Sequence, residues 1–320
     1  MKRILVTGFA GFVASHFIEY LYNEKLEYEI CGIDIREPEF DYSIFNDKLN
    51  IKFRCVDMTH INQVRENIFE FQPDYILHLA AFSSVAYSWE HPSYSFMNNS
   101  NIFLNLISVV REICPKCRVL SVGSSEEYGN VPHQNLPIRE DQPVNPGSPY
   151  AVARVAQEML SKVFVDTYGM EIVMTRSFNH IGPRQEEKFV IPGFIRRVLD
   201  VRKAGESVGE IETGNLSIVR DFVDVRDVVR AYHLLLTKGR KGEIYNICSG
   251  KGRILEEIVD MIANEVGVKI STRTNSKFIR PNDNMEIVGS PYKIETELGW
   301  KRRFDLAWTI KDMVESMNFK

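Results

Sequence analysis

The chain has no apolar run long enough to span a bilayer, no low-complexity tract, no internal repeat and no excess of positive charge. Without a membrane-length run, and with Met1-Lys2-Arg3 leading straight into an apolar strand rather than a signal-peptide pattern, the expected compartment is the cytoplasm. Lys and Arg number 39 against 43 Asp and Glu, a net charge of −4, which argues against nucleic acid or an anionic membrane as the main partner. Cysteine is scarce: five scattered residues, an odd number, as suits a reducing compartment rather than a disulfide framework. The one CxxC, Cys114 to Cys117, has neither a second pair nor nearby histidines to close a zinc site, so no metal is expected.

What is present is an ordinary globular composition, 44% hydrophobic and 26% charged, in 320 residues that can bury a large core. Through the first half, short β-branched apolar runs alternate with helical patterns, the signature of βαβ units and a parallel sheet. Strands are expected at 2–7, 28–34, 51–55, 74–80, 117–122 and 171–176, with helices at 12–22, 61–71, 98–113 and 150–168. After Asn179 the alternation breaks into a basic helix at 192–202, a Gly214-Asn215 loop, a strand-like 243–249, a helix at 254–266 and a terminal helix. The expected fold class is α/β: a Rossmann-type doubly wound parallel sheet with a smaller mixed C-terminal substrate lobe. Residues 1–177, with a returning segment at about 216–249, would form the dinucleotide-binding domain, and 178–215 with 250–320 the lobe.

The first strand runs into the turn TGFAGFVA at 7–14. Gly8, Gly11 and Ala14 keep Cβ bulk off a tight strand-to-helix turn, so a pyrophosphate can approach backbone N–H groups at a helix N-terminus. The spacing is GxxGxxA rather than GxGxxG, and glycine turns alone are common. Asp34 strengthens the signal: it ends the next strand twenty residues past Ala14, where an acid should meet the adenosine ribose hydroxyls.

Tyr150 follows Pro146-Gly147-Ser148-Pro149 and opens a helix on which Arg154, at i+4, shares its face. A tyrosine is a poor acid or base near neutrality unless a neighbouring cation favours its phenolate. Ser124 and Ser125 follow the strand at 117–122 and would lie at its C-terminal end, where ligands bind in open α/β sheets. A serine there could hydrogen-bond a substrate hydroxyl and share the proton with Tyr150. His180 is either a structural histidine or a substrate contact.

Together with HLAA (78–81), GSSEEYG (123–129), SPYAVA (148–153), RSFNHIGPRQ (176–185), VRDFVDVRDV (219–228), YNICSG (245–250) and Arg280-Pro281, these segments resemble the extended short-chain dehydrogenase/reductases acting on nucleotide sugars. Within that group the chain is similar to the GDP-4-keto-6-deoxy-D-mannose reductases and the GDP-mannose 4,6-dehydratases. The resemblance implies that Gly8, Gly11, Phe12 and Ala14 line the pyrophosphate, with Asp34 and Arg36 at the adenosine ribose. It further implies Asp57 and Met58 at the adenine and Ala80 and Ala81 on the nicotinamide side. Ser124, Tyr150 and Arg154 match the family's Ser/Thr–Tyr–Lys triad, and Glu126 stands where the dehydratases keep a catalytic glutamate. Ser125, Asn179, Lys188, Arg220 and Arg280 are implied on the substrate, the arginines gripping its phosphates.

Three departures stand out. Arg154 replaces lysine, keeping the charge but adding bulk and losing the ability to release a proton. The family's Asn-x-x-Gly-Thr is here Asn99-Ser100-Asn101-Ile102-Phe103, with large residues in place of small ones. Asp34 favours NAD, because a carboxylate repels a 2′-phosphate, while Arg36 leaves NADP possible. The resemblance implies an NAD-dependent oxidoreductase acting at C4 of a GDP-linked sugar, chiefly a 4-keto-6-deoxymannose reductase working as a homodimer. The alternatives are a 4,6-dehydratase, a C4 dehydrogenase running in the oxidative direction, and a non-catalytic nucleotide-sugar-binding protein suggested by Arg154.

Overall fold

In the computed structural model, residues 1–279 and 284–318 are described. The first strand, β1 (Lys2–Thr7), carries fully buried Ile4, Leu5 and Val6 in succession, as a strand covered on both faces must. It is followed by α1 (Phe12–Asn23), β2 (Tyr28–Asp34), β3 (Asn50–Cys55), α2 (Ile61–Phe71), β4 (Tyr75–His78), α3 (Val85–Glu90), α4 (Pro92–Ile113), β5 (Arg118–Ser124), α5 (Pro149–Tyr168) and β6 (Ile172–Ser177). The chain continues through β7 (Asn179–Ile181), α6 (Val190–Lys203), β8 (Val208–Thr213), β9 (Val219–Asp224), α7 (Val225–Lys238) and β10 (Ile244–Ile247). It ends with β11 (Gly252–Ile254), α8 (Leu255–Val266), β12 (Lys269–Thr274), β13 (Glu286–Ile287), α9 (Tyr292–Leu298) and α10 (Leu306–Asn318).

Seven parallel strands form the main sheet in the order β10-β6-β5-β4-β1-β2-β3. The order reverses at β1, which has β2 on one side and β4 on the other, so the crevice at its C-terminal end is the topological switch point where ligands bind. Helices α1 and α7 cover one face with Phe17, Ile18, Leu21, Val228 and Leu235; α2, α4 and α5 cover the other with Val64, Ile68, Leu106, Val110 and Phe164. A separate core joins α6, α8 and α10 through Ile195, Val198, Ile258, Ile262, Ile310 and Met313.

Three expectations need correcting. Helix α4 starts at Pro92, six residues before 98, because proline suits a first turn and the polar stretch beyond it stays helical. Asn99 is buried there with both ends of its amide on the Phe82 backbone, at 2.8 and 3.1 Å, while Ile102 and Phe103 fill the core beneath. Strand β4 ends at His78 rather than 80, since Thr7 Oγ1 takes the N–H groups of Leu79 and Ala80 and turns the chain out of the sheet. The segment returning to the main sheet is also shorter than 216–249: β9 pairs with β7, β11 and β13 in a second sheet, and only α7 and β10 rejoin the first.

Candidate active site

At the β1–α1 turn Gly8 has φ +69°, and a Cβ there would lie 2.8 Å from the Ala80 backbone nitrogen. The positive φ and close backbone make Gly8 sterically required, while a Cβ on Gly11 would meet the Gly8 carbonyl at 3.0 Å, a tight contact at an ordinary φ of −83°. No side chain caps α1, whose first-turn N–H groups are left for an anion. The cradle fits a dinucleotide pyrophosphate. Ala14 is buried, and the Phe12 ring lies edge-on to His16, 5.1 Å between centroids.

Asp34 is fixed beside this turn: Oδ2 accepts the Ala10 N–H at 3.0 Å and Oδ1 the Ile35 N–H at 2.8 Å. Arg36 is exposed and points to Glu186, 3.9 Å away. Beyond β3, Asp57 accepts the Thr59 hydroxyl at 2.7 Å and the Thr59 N–H at 2.9 Å, bonds that hold its carboxyl below the usual range. Met58 is buried, its carbonyl taking the Asn105 amide at 2.9 Å. Ala80 and Ala81 are half-buried at the end of β4. Thr7, already accepting two N–H bonds, gives its own hydroxyl hydrogen to His78 Nδ1 at 2.9 Å. Burial, then Arg154, push His78 down to about 3.

On the other side of the crevice, Ser148 caps α5 by accepting the Ala151 N–H at 3.2 Å, and Pro149 sits in the first turn; together they fix the backbone at Tyr150. Arg154 Nε donates to the Tyr150 hydroxyl at 3.2 Å. A guanidinium only donates, so the phenol oxygen accepts and its own hydrogen stays available for another group. Arg154 Nη1 donates to the Val122 carbonyl at 2.9 Å and to Gln157 Oε1 at 2.8 Å, and Arg154 is 5% exposed.

Ser124 ends β5. Its Oγ accepts the Glu126 N–H at 3.2 Å, and its N–H donates to Glu127 Oε1 at 2.7 Å. Glu127 is fully buried, 4.0 Å from Arg176, which itself grips Glu158 with two bonds of 2.8 and 2.9 Å. A Cβ at Gly123 would overlap the Glu127 carboxyl. Ser125 is almost wholly buried, while Glu126 is half-buried. Glu127 and Gln157 escaped the sequence reasoning. Their signals were present: Ser124-x-x-Glu127 is a capping-box pattern, and Gln157 is three residues past Arg154 on the same helix.

Across the crevice, His180 Nδ1 lies 3.2 Å from the Phe178 carbonyl; a carbonyl only accepts, so Nδ1 carries the proton and Nε2 the lone pair. Burial outweighs that bond and, with Arg154 nearby, pushes His180 down to about 4. Asn179 is on β7 opposite Phe222 of β9, two residues from Arg220, which is 8% exposed with Nη1 on the Val219 carbonyl at 3.0 Å. Lys188 is exposed and bound to Glu186 at 2.6 Å. Arg280 lies outside the described residues.

The doubly wound sheet, the glycine cradle and the Tyr150–Arg154 pair define a nucleotide-sugar enzyme of the short-chain dehydrogenase/reductase type that uses NAD(P). The chain belongs to the GDP-mannose 4,6-dehydratase family, whose model matches residues 5–313. It is 28% identical to the GDP-6-deoxy-D-mannose reductase of Pseudomonas aeruginosa, over 97% of this chain and 95% of that protein. The structure of RMD from Pseudomonas aeruginosa complexed with NADPH superposes with a TM-score of 0.83 at 26% identity, covering 100% of this chain and 98% of that one. The dTDP-glucose 4,6-dehydratase of Streptomyces venezuelae, solved with NAD bound, gives a TM-score of 0.86 at 25% identity, covering 99% and 97%. No described helix is long and apolar enough to cross a membrane.

Proposed function

We propose that this protein is an NAD-dependent oxidoreductase that reduces the C4 ketone of a GDP-linked 4-keto-6-deoxymannose. The observation that carries the chemistry is the bond from Arg154 Nε to the Tyr150 hydroxyl. It leaves the phenol hydrogen pointed away from the cation, free to be given to a carbonyl oxygen, and sets a positive charge against the phenolate that remains. Ser124 Oγ, held by the Glu126 N–H, donates its own hydrogen to the same oxygen. When bound, the nicotinamide supplies the hydride.

In this reading Gly8, Gly11, Phe12 and Ala14 hold the pyrophosphate, Asp57 and Met58 the adenine, and Ala80 and Ala81 the nicotinamide side. Asp34, locked by two backbone N–H groups, accepts from the ribose hydroxyls and disfavours a 2′-phosphate, which makes NAD the preferred cofactor. Ser125, Asn179, Lys188, Arg220 and Arg280 serve the GDP-sugar. The lobe beyond residue 177 carries most of that site. The expected assembly is a cytoplasmic homodimer: Met97 and Leu104 of α4 and Val152, Met159 and Val163 of α5 are all at least 40% exposed on two helices that pack together.

The test supplies GDP-4-keto-6-deoxymannose with NADH or NADPH and follows loss of reduced cofactor together with formation of the 6-deoxy sugar. Half-buried Glu126 favours a second reading, a 4,6-dehydratase, in which its carboxyl handles the C5 proton. That enzyme would convert GDP-mannose with no added cofactor and keep NAD through purification. Inertness toward both substrates would sink both readings.

A further inference from the structure

Gln157 lies three residues past Arg154 on α5, so both side chains face β5. Gln157 Oε1 accepts from Arg154 Nη1 at 2.8 Å, and Gln157 Nε2 donates to Ser121 Oγ at 2.9 Å and to the Val122 carbonyl at 3.0 Å. An arginine only donates and a backbone carbonyl only accepts, so the amide has one orientation, oxygen to the arginine and nitrogen to the strand. Gln157 and Ser121 are each 2% exposed. The Val122 carbonyl takes both Arg154 Nη1 and Gln157 Nε2, filling its two lone pairs. A buried guanidinium is stable only where fixed acceptors meet its N–H groups, and its planar fork ties the direction of Nε to where Nη1 is held.

We propose that Gln157 is a positioning residue that clamps Arg154, so that Nε–H meets the Tyr150 hydroxyl and arginine can serve as the tyrosine's cation. The proposal rests on the reading of Tyr150 as proton donor. Without Gln157 the guanidinium keeps only the Val122 carbonyl at Nη1 and can swing Nε away. A lysine at position 154 has no planar fork to be aligned and gains nothing from the clamp. The groups that feel the Arg154 charge are Tyr150 on α5, His78 at the end of β4, Glu127 in the turn after β5, His180 on β7 and Tyr232 on α7.

The test is a double-mutant cycle of Gln157→Met with Arg154→Lys, read by turnover and by the phenolate absorbance difference between each enzyme and its Tyr150→Phe counterpart. Gln157→Met should lower kcat about tenfold to hundredfold with little change in the KM for NADH, and move the phenolate midpoint to more alkaline pH. In the Arg154→Lys background the same change should add nothing. Ser121→Ala, which removes one acceptor of the Gln157 amide from the strand side, should give a smaller shift of the same sign and decides the matter if Gln157→Met does not fold. An unmoved midpoint in the arginine enzyme would overturn the proposal, as would equal damage in both backgrounds, which would make Gln157 a packing residue. If the unmodified enzyme turns over no GDP-sugar while the midpoints behave as described, the substrate reading fails and the positioning role stands.

Discussion

Glu127 Oε1 accepts the backbone N–H of Ser124 at 2.7 Å, so the serine at the end of β5 is held by a carboxyl that solvent does not reach. Burial, then the neighbouring Glu158, push Glu127 up to about 8. The folded protein therefore keeps a proton that the unfolded chain has lost, and stability falls as pH rises from the ordinary glutamate range through about 8.

Glu127→Gln keeps an oxygen acceptor for Ser124 and cannot ionise. Its melting temperature should exceed that of the unmodified protein at pH 8 and approach it at about pH 5, as read by calorimetry. A difference independent of pH would show that Glu127 does not titrate between these values.

Acid should destabilise the protein through its buried histidines. Burial pushes His16, His180 and His233 down to about 4, and His78 to about 3. Because the folded values are depressed, the stability these neutral rings provide is present above the ordinary histidine value of 6.5 and is lost as pH falls toward 4. The cost is about 1 kcal/mol per pH unit for each histidine. At His16 burial, then the Arg184 charge, disfavour the imidazolium; Nε2–H donates to the Pro183 carbonyl at 2.9 Å and Nδ1 accepts from Arg184 at 3.1 Å, a bond that a second proton would break. His16→Gln should flatten part of the decline in melting temperature with acid. An equally steep decline would assign it to other groups.

Tyr150→Phe should reduce turnover by about a hundredfold or more, the usual worth of a positioned general acid, and leave NAD affinity within about twofold. Calorimetric titration with NAD and single-turnover kinetics test both halves. Near-normal activity would move the proton to another donor, and His180 is poorly placed for that role because its one N–H is already given to Phe178.

Asp34→Ser should weaken NAD binding and narrow its advantage over NADP, since the carboxylate that repels a 2′-phosphate is gone. Loss of the acceptor for the Ala10 N–H should add a loosening of the glycine turn, seen as faster amide exchange there. Tighter binding of NADP than NAD by the unmodified protein would refute the assignment.

Val163→Asp, on the exposed face of α5, should convert the proposed dimer to monomer with the melting temperature of the isolated chain little changed. Light scattering at micromolar concentration reads the outcome; a monomer before mutation would dismiss the dimer.

The sequence by itself determined the features that depend on neighbours along the chain. An unbroken apolar or small-residue centre marked β1 and β2 to the residue, because a strand covered on both faces buries successive residues, and glycine marked the turn at Gly8, because only glycine takes that φ so near the Ala80 backbone. Helical spacing likewise put Tyr150 and Arg154 on one face. Tertiary structure alone decided what those side chains meet. The Val122 carbonyl of β5 meets the guanidinium of Arg154 on α5, Arg176 of β6 lies 4.0 Å from Glu127, Glu186 stands 3.9 Å from Arg36, and β9 leaves the main sheet to pair with β7. Each of these depends on atoms from separate elements arriving within hydrogen-bonding or ion-pairing distance, and a buried donor or acceptor takes whichever partner the fold brings to it, which no local pattern encodes.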